Sequence, residues 1–247
     1  MKRSFIIVFI AVFILLVFSL NAFTLQNAFK VGEKLVFSVG WTNVLDAGTA
    51  VMQVSNEEVF FNHNVYHTIT TTKSSSAFSS FFYVYDRIDC YFDKDTFASL
   101  KYEKHLREGD YKNDEVIYYD PSKQIAIRDE KIIKVLSNTM DILTAFYYLR
   151  TLSFQTGDVI KINQSDGKRS KVIEVKILKK EQVTVPAGTF NCIKVEPILN
   201  ETEGIFRQSG RLWFWLTDDE KHMPVLMKSS IVIGDITAKL ASYTIGK

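Results

Sequence analysis

From residue 34 onward the chain alternates apolar and polar positions with a period of two, the pattern of strands that turn one face to a core. In the first half this predicts strands over residues 34–41, 48–55, 65–72, 83–92, 99–105, 115–119, 124–128 and 131–136. The second half adds 158–163, 171–181, 190–197, 211–216, 223–233 and 236–243. Turn chemistry falls between them, at Asp120-Pro121, Asp166-Gly167, Pro186-Ala187-Gly188 and Gly234-Asp235. Such short links between successive strands predict an antiparallel, mostly meandering sheet.

One segment departs from that rhythm. In SNTMDILTAFYYLRTLSFQTGD, residues Ile142, Ala145, Phe146 and Leu149 recur at helical spacing. A helix is expected over 139–154, with Asn138 or Thr139 as its cap and Gly157 beyond its end. Met140, Leu143, Tyr147 and Leu152 spread apolar character around it, which suits burial against or inside a curved sheet. The expected fold class is therefore mainly β: a large curved antiparallel sheet, half-barrel or open barrel, with one central helix packed on its concave side. The stretch SSSAFSSFF, 74–82, reads equally as a short helix or a loop.

Some strands are apolar on both faces. In RLWFWL, Trp213 and Trp215 point one way while Leu212, Phe214 and Leu216 point the other. Such a strand is covered on both sides, or one face lines a cavity for an apolar ligand.

The N-terminus changes the picture of where the chain works. Lys2 and Arg3 precede an uncharged apolar run over 5–18, followed by a polar break near Ala22, the arrangement of a secretory signal peptide. The expected organisation is a signal over 1–22 and a single β-rich domain over 23–247, exported to the periplasm. An uncleaved N-terminal anchor is the alternative; after cleavage no membrane span is expected. The whole chain has 30 basic and 28 acidic residues; without Lys2 and Arg3 it balances at 28 against 28. A neutral exported domain offers no electrostatic footprint for nucleic acid.

Chemistry is sparse. No GxSxG, P-loop, HExxH, CxxC or dinucleotide fingerprint occurs. His63 and His67 lie on one expected strand, where four residues separate them by roughly 13 Å, too far to share a metal ion. The two cysteines, Cys90 and Cys192, permit one disulfide without requiring it, and neither has a neighbouring His. Asp86 shares an apolar face with Val84 and Ile88, where a lone carboxylate is expensive. Arg150 of the helix is its expected partner, with Asp141 alongside, as a structural ion pair between helix and sheet or, as the sharper alternative, an acid/base group. Asp218, Asp219 and His222 in LTDDEKHMP read as a solvated turn.

Five segments, FKVGEKLVFSVGWTNVLDAGTA, YVYDRIDCYFDKDTF, DILTAFYYLR, VPAGTFNCIKVEP and GRLWFWLTDDEKHMPVLMKSSIVIGDITAKL, occur in an order that resembles the exported bacterial domain of unknown function 3108 family. The resemblance spans 29–243 and implies a periplasmic or envelope protein with no agreed activity. The general pattern is also similar to the half-barrel of the lipoprotein carriers, in which a curved sheet wraps helices over an apolar cavity. Together these suggest a non-enzymatic protein without cofactor, binding a lipid or other apolar ligand near Trp41, Phe146, Tyr147, Trp213 and Trp215. The rival expectation is a structural or assembly partner of the cell envelope, using a sheet edge or an aromatic patch.

Overall fold

The computed structural model describes residues 28–42, 44–198, 211–231 and 234–246. The expected signal peptide falls outside the described residues. Strands β1 (Lys34–Trp41), β2 (Val44–Phe60) and β3 (His63–Ser74) lead into a one-turn helix, α1 (Ser76–Ser79). Then follow β4 (Tyr85–Asp93), β5 (Ser99–Glu108), β6 (Tyr111–Asp120), β7 (Ile125–Arg128) and β8 (Lys131–Lys134). Helix α2 (Ile142–Thr151) precedes β9 (Val159–Ser165), β10 (Ser170–Val185), β11 (Gly188–Ile198), β12 (Arg211–Thr217), β13 (Pro224–Ile231) and β14 (Gly234–Thr244).

All fourteen strands form one antiparallel sheet, in the order β8-β7-β6-β5-β4-β3-β2-β1-β14-β13-β12-β11-β10-β9. The sheet is open, a curved half-barrel of two meandering arms joined where the first strand pairs with the last, Phe37 opposite Leu240. Its two edges, β8 and β9, are consecutive in sequence, so the chain must cross from one arm to the other between them. That crossing carries α2 over the concave side. On the way, Thr139 O accepts from Ser99 N–H of β5, and Met140 bonds Asn163 and Ser165 of β9. Tyr119 Oη of β6 donates to Ser165 O at 3.0 Å, bringing the arms within hydrogen-bond reach of each other.

Several strands outrun their expected ranges, β2, β6 and β10 among them. β2 and β10 extend beyond the alternating core segments through bulges at Val54/Asn56 and Ile177/Lys179. Past the β2 bulge Glu57, Glu58 and Val59 are exposed and the hydrophobic alternation is weak, whereas past the β10 bulge Val183 and Val185 still turn to the core. Helix α2 is shorter than expected, and its cap is Asp141 instead of Asn138 or Thr139. Residues 139 and 140 are engaged in the strand contacts just described and are not free to start the helix. Both cysteines are buried and free.

Candidate functional site

Helix α2 divides its side chains between two environments. Tyr147 and Arg150 point into the main core, where both are fully buried. Ile142, Leu143, Ala145, Phe146 and Leu149 face a cavity of about 340 Å³ between the helix and the sheet. The opposite wall comes from nine strands: Phe37 of β1, Ala50 and Met52 of β2, Thr70 and Thr72 of β3, Ile162 of β9, Ile173 and Val175 of β10, Pro197 of β11, Leu212 and Phe214 of β12, Pro224, Leu226 and Met227 of β13, and Ala238 of β14. Phe146 and Phe214 meet across it with ring centroids 4.7 Å apart. Among the described residues the only polar side chains on the lining are the threonines of β3, and none is charged.

Of the five residues expected at an apolar site, only Phe146 lines the cavity. The face assignment of β12 is the reverse of the expectation: Leu212 and Phe214 line the cavity while Trp213 and Trp215 do not. The two tryptophans instead carry the Lys194 ammonium over their rings at 4.8 and 4.6 Å, and Trp215 Nε1 donates to Glu181 Oε1 at 2.7 Å. Tyr147 is core, edge-on to Phe29 at 4.9 Å. Trp41 packs on Phe78 and Phe81 of the α1 region, apart from the cavity lining.

The expected ion pair is also corrected. Arg150 reaches Glu33, just ahead of β1, through two 2.8 Å bonds, Nη1 to Oε1 and Nη2 to Oε2. It also donates to Ala28 O at 3.1 Å and Lys221 O at 3.3 Å, and its guanidinium lies over the Phe29 and Tyr147 rings. Asp86 lies elsewhere, accepting the Arg107 N–H at 2.9 Å; burial raises its pKa and that of Glu108 beside it. Neither carboxyl is on the cavity lining.

Asp141 is the N-cap of α2. Its Oδ1 accepts from Leu143 N–H, Thr144 N–H and the Cys90 thiol, and its Oδ2 from the Ser99 and Thr144 hydroxyls. Five donors and a helix N-terminus hold the buried carboxylate. The signal was present in the sequence, an Asp immediately before the helical period. Glu33 carries no such signal, since its partner is 117 residues away.

Among the described residues the cavity lining carries no thiol, imidazole, carboxyl or amine. Burial pushes the Cys192 thiol up to about 12 and raises that of Cys90, with Asp141 adding to the latter, so neither is a ready thiolate. Burial opposes the charge of Asp89, yet hydrogen bonds from His67 and Arg87 hold its carboxyl well below the usual range. That triad is spent on itself. Among the described residues no group of three or more side chains could hold a metal ion, and no helix is long and apolar enough to cross a membrane.

Comparison with known proteins identifies the family and bears on the fold. The model of the family described as "Protein of unknown function (DUF3108)" matches residues 36–241. Among solved structures, the chain is similar to a β-barrel-like protein of the domain of unknown function DUF1849 from Brucella abortus. Identity is 10% and the TM-score 0.57, over 89% of this chain and 99% of that one. It also matches a protein assigned as exported, with a YmcC-like fold, from Bacteroides fragilis, at 12% identity and a TM-score of 0.40, over 87% and 97%. A protein assigned as a lipoprotein from Parabacteroides distasonis matches at 14% identity and a TM-score of 0.40, over 89% and 99%. No curated protein matches the chain by sequence.

Proposed function

The chain belongs to the DUF3108 family, and on that premise we propose that it is an exported binding protein that holds an acyl chain, or another apolar ligand, between α2 and the concave sheet. The observation that carries this reading is the cavity of about 340 Å³, where two threonine hydroxyls are the only polar side chains among the described residues of the lining. Protein interiors pack to crystal density and leave few voids larger than a water molecule. An apolar space of this size lies within the range of about 300–1,000 Å³ that small-molecule sites occupy. Each methylene that enters gains about 0.8 kcal/mol, so a chain of several carbons binds usefully without a single charged contact. Thr70 and Thr72 provide hydroxyls that can bond one polar group of the ligand. The leader-like pattern of residues 1–22 supports export to the periplasm. The apolar lining formed by the described residues supports binding as the activity of this site.

Native mass spectrometry of protein purified from its own cells without detergent, followed by organic extraction, tests this reading. A bound mass that extracts as a lipid or fatty acid is the expected result. A bare protein mass, together with no rise in melting temperature on adding medium-chain fatty acids below their micelle concentration, would overturn it, because a ligand of the native state must stabilise it.

A further inference from the structure

Among the described residues, neither the Oγ of Ser229 in β13 nor the buried Nε1 of Trp41 in β1 has a hydrogen-bond partner. Ser229 is 3% exposed. A polar group held out of water without a partner costs stability and asks for a physical account. The register puts these two residues next to the cavity. Ser229 pairs with Leu212 of β12 on one side and with Ile236 of β14 on the other, and Ile236 pairs in turn with Trp41. Residues directly opposite in an antiparallel pair share a face, so Leu212, Ser229, Ile236 and Trp41 make one row across four strands. Leu212 lines the cavity, and so does Met227, two residues before Ser229 and on its face. The row is the rim of the cavity on that side, with Ser229 and Trp41 just outside the lining itself.

The rim is polar without being charged. Arg211, Lys228 and Asp235 occupy the alternate positions of these strands, turn to the other face and are exposed. Trp41 Nε1 lies over β14, since a Cβ added to Gly234, two residues before Ile236, would meet it at 3.2 Å. The indole therefore leans from β1 toward β13 across the gap that Gly234 leaves. With adjacent strands about 4.8 Å apart, the backbones of β1 and β13 are about 10 Å from each other, a span that the two side chains and one bound group fill. An indole N–H only donates, whereas a serine hydroxyl donates or accepts. The group that satisfies both at once is an acceptor with two lone pairs.

On the reading that the cavity holds an acyl chain, we propose that Ser229 and Trp41 bind the carbonyl oxygen at the head of that chain. The ligand is then a fatty acid or an acyl ester, with its tail running past Leu212 and Met227 into the apolar space. A plain hydrocarbon leaves both groups unpaired. An alkylammonium head, which carries donors alone, leaves the indole N–H unpaired.

Partition of methyl octanoate, octanoate and n-octane into solutions of the protein gives the affinity of each, and the melting temperature is read on the same samples. Ser229→Ala and Trp41→Phe each remove one donor and keep most of the side chain's shape. Either change should weaken the tighter of the two acyl probes about five- to tenfold, the loss of one hydrogen bond, and leave n-octane unchanged. Ligand-free Ser229→Ala should melt no lower than the wild type, because an unpaired buried hydroxyl has gone. Which acyl probe binds tighter tells whether the natural ligand is esterified or free. Equal losses for n-octane and the acyl probes, or no loss for any, would show that the oxygen is not held at the rim; the proposal then fails while the acyl-chain cavity stands. A lower melting temperature in Ser229→Ala with unaltered acyl binding assigns the hydroxyl a structural partner and overturns it too. If the wild type takes up none of the three probes, the acyl-chain reading fails first and carries this one with it.

Discussion

Arg150 is fully buried, and Glu33, its bidentate partner, is 3% exposed. Taking both charges out of water is costly, and what offsets it is the pair's two short bonds, two backbone carbonyls and the flanking rings. The pair ties the C-terminal end of α2 to the chain entering β1. The same arginine's backbone carbonyl accepts from His222 Nδ1 at 2.9 Å, so one residue also anchors the β12–β13 turn. Removing only the cation strands a buried carboxylate: Arg150→Met should cost about 3–5 kcal/mol in urea unfolding. Adding Glu33→Leu should recover more than half of that loss, since the unpaired charge goes with it. Additive losses in the double mutant would show that the pair is not coupled. The residue-level reading of the sequence placed Arg150 in an ion pair but gave it Asp86, because the choice of partner depends on where the helix crosses the sheet. The alternation in RLWFWL had the same limit. It separates Trp213 and Trp215 from Leu212 and Phe214 correctly, yet both faces are apolar, and nothing in the six residues says which is concave.

At the scale of elements, the strands were legible because each alternates over its buried part, and the helix because Ile142, Phe146 and Leu149 recur at helical spacing. Its start was less so. Asp141 was read as an ion-pair member, whereas it caps α2 and joins that cap to β5 through Ser99, which both donates to the carboxylate at 2.7 Å and accepts the Asp141 N–H at 2.8 Å. Loss of an N-cap costs about 0.5–2 kcal/mol, and here the Ser99 and Thr144 hydroxyls and the Cys90 thiol lose their acceptor as well. Asp141→Ala should therefore destabilise by about 2–4 kcal/mol. Asp141→Asn should fall between it and the wild type, because its amide presents a donor where Oδ2 accepts from two hydroxyls. Thermal and urea unfolding of the three proteins measure the order. An unaltered stability in Asp141→Asn together with lost ligand binding would instead return Asp141 to the site.

At the scale of the whole molecule, the cavity follows from topology. A sheet of fourteen strands has a wide concave face, and the crossing from β8 to β9 brings only the ten-residue α2 to cover it. One side of the helix completes the core around Tyr147 and Phe92; the other stands away from the wall formed by β1–β3 and β9–β14, and the space between is apolar. A cavity kept for a ligand and one left by imperfect packing differ in what happens on filling it. Ala50, on the β2 wall, has room before it for a larger side chain. Ala50→Phe places a ring in that space without opening a void elsewhere, so the melting temperature should hold or rise by a few degrees, as cavity-filling changes of about 0.5–2 kcal/mol do. The same change should abolish the rise in melting temperature produced by a medium-chain fatty acid, and reduce the lipid that co-purifies. If Ala50→Phe stabilises the protein and the fatty acid still shifts its melting, the ligand binds elsewhere. If the substitution destabilises by more than about 1–3 kcal/mol, the strain expected of an overpacked core, then the space between α2 and the sheet is smaller in solution than its walls imply, and the acyl-chain reading fails with it.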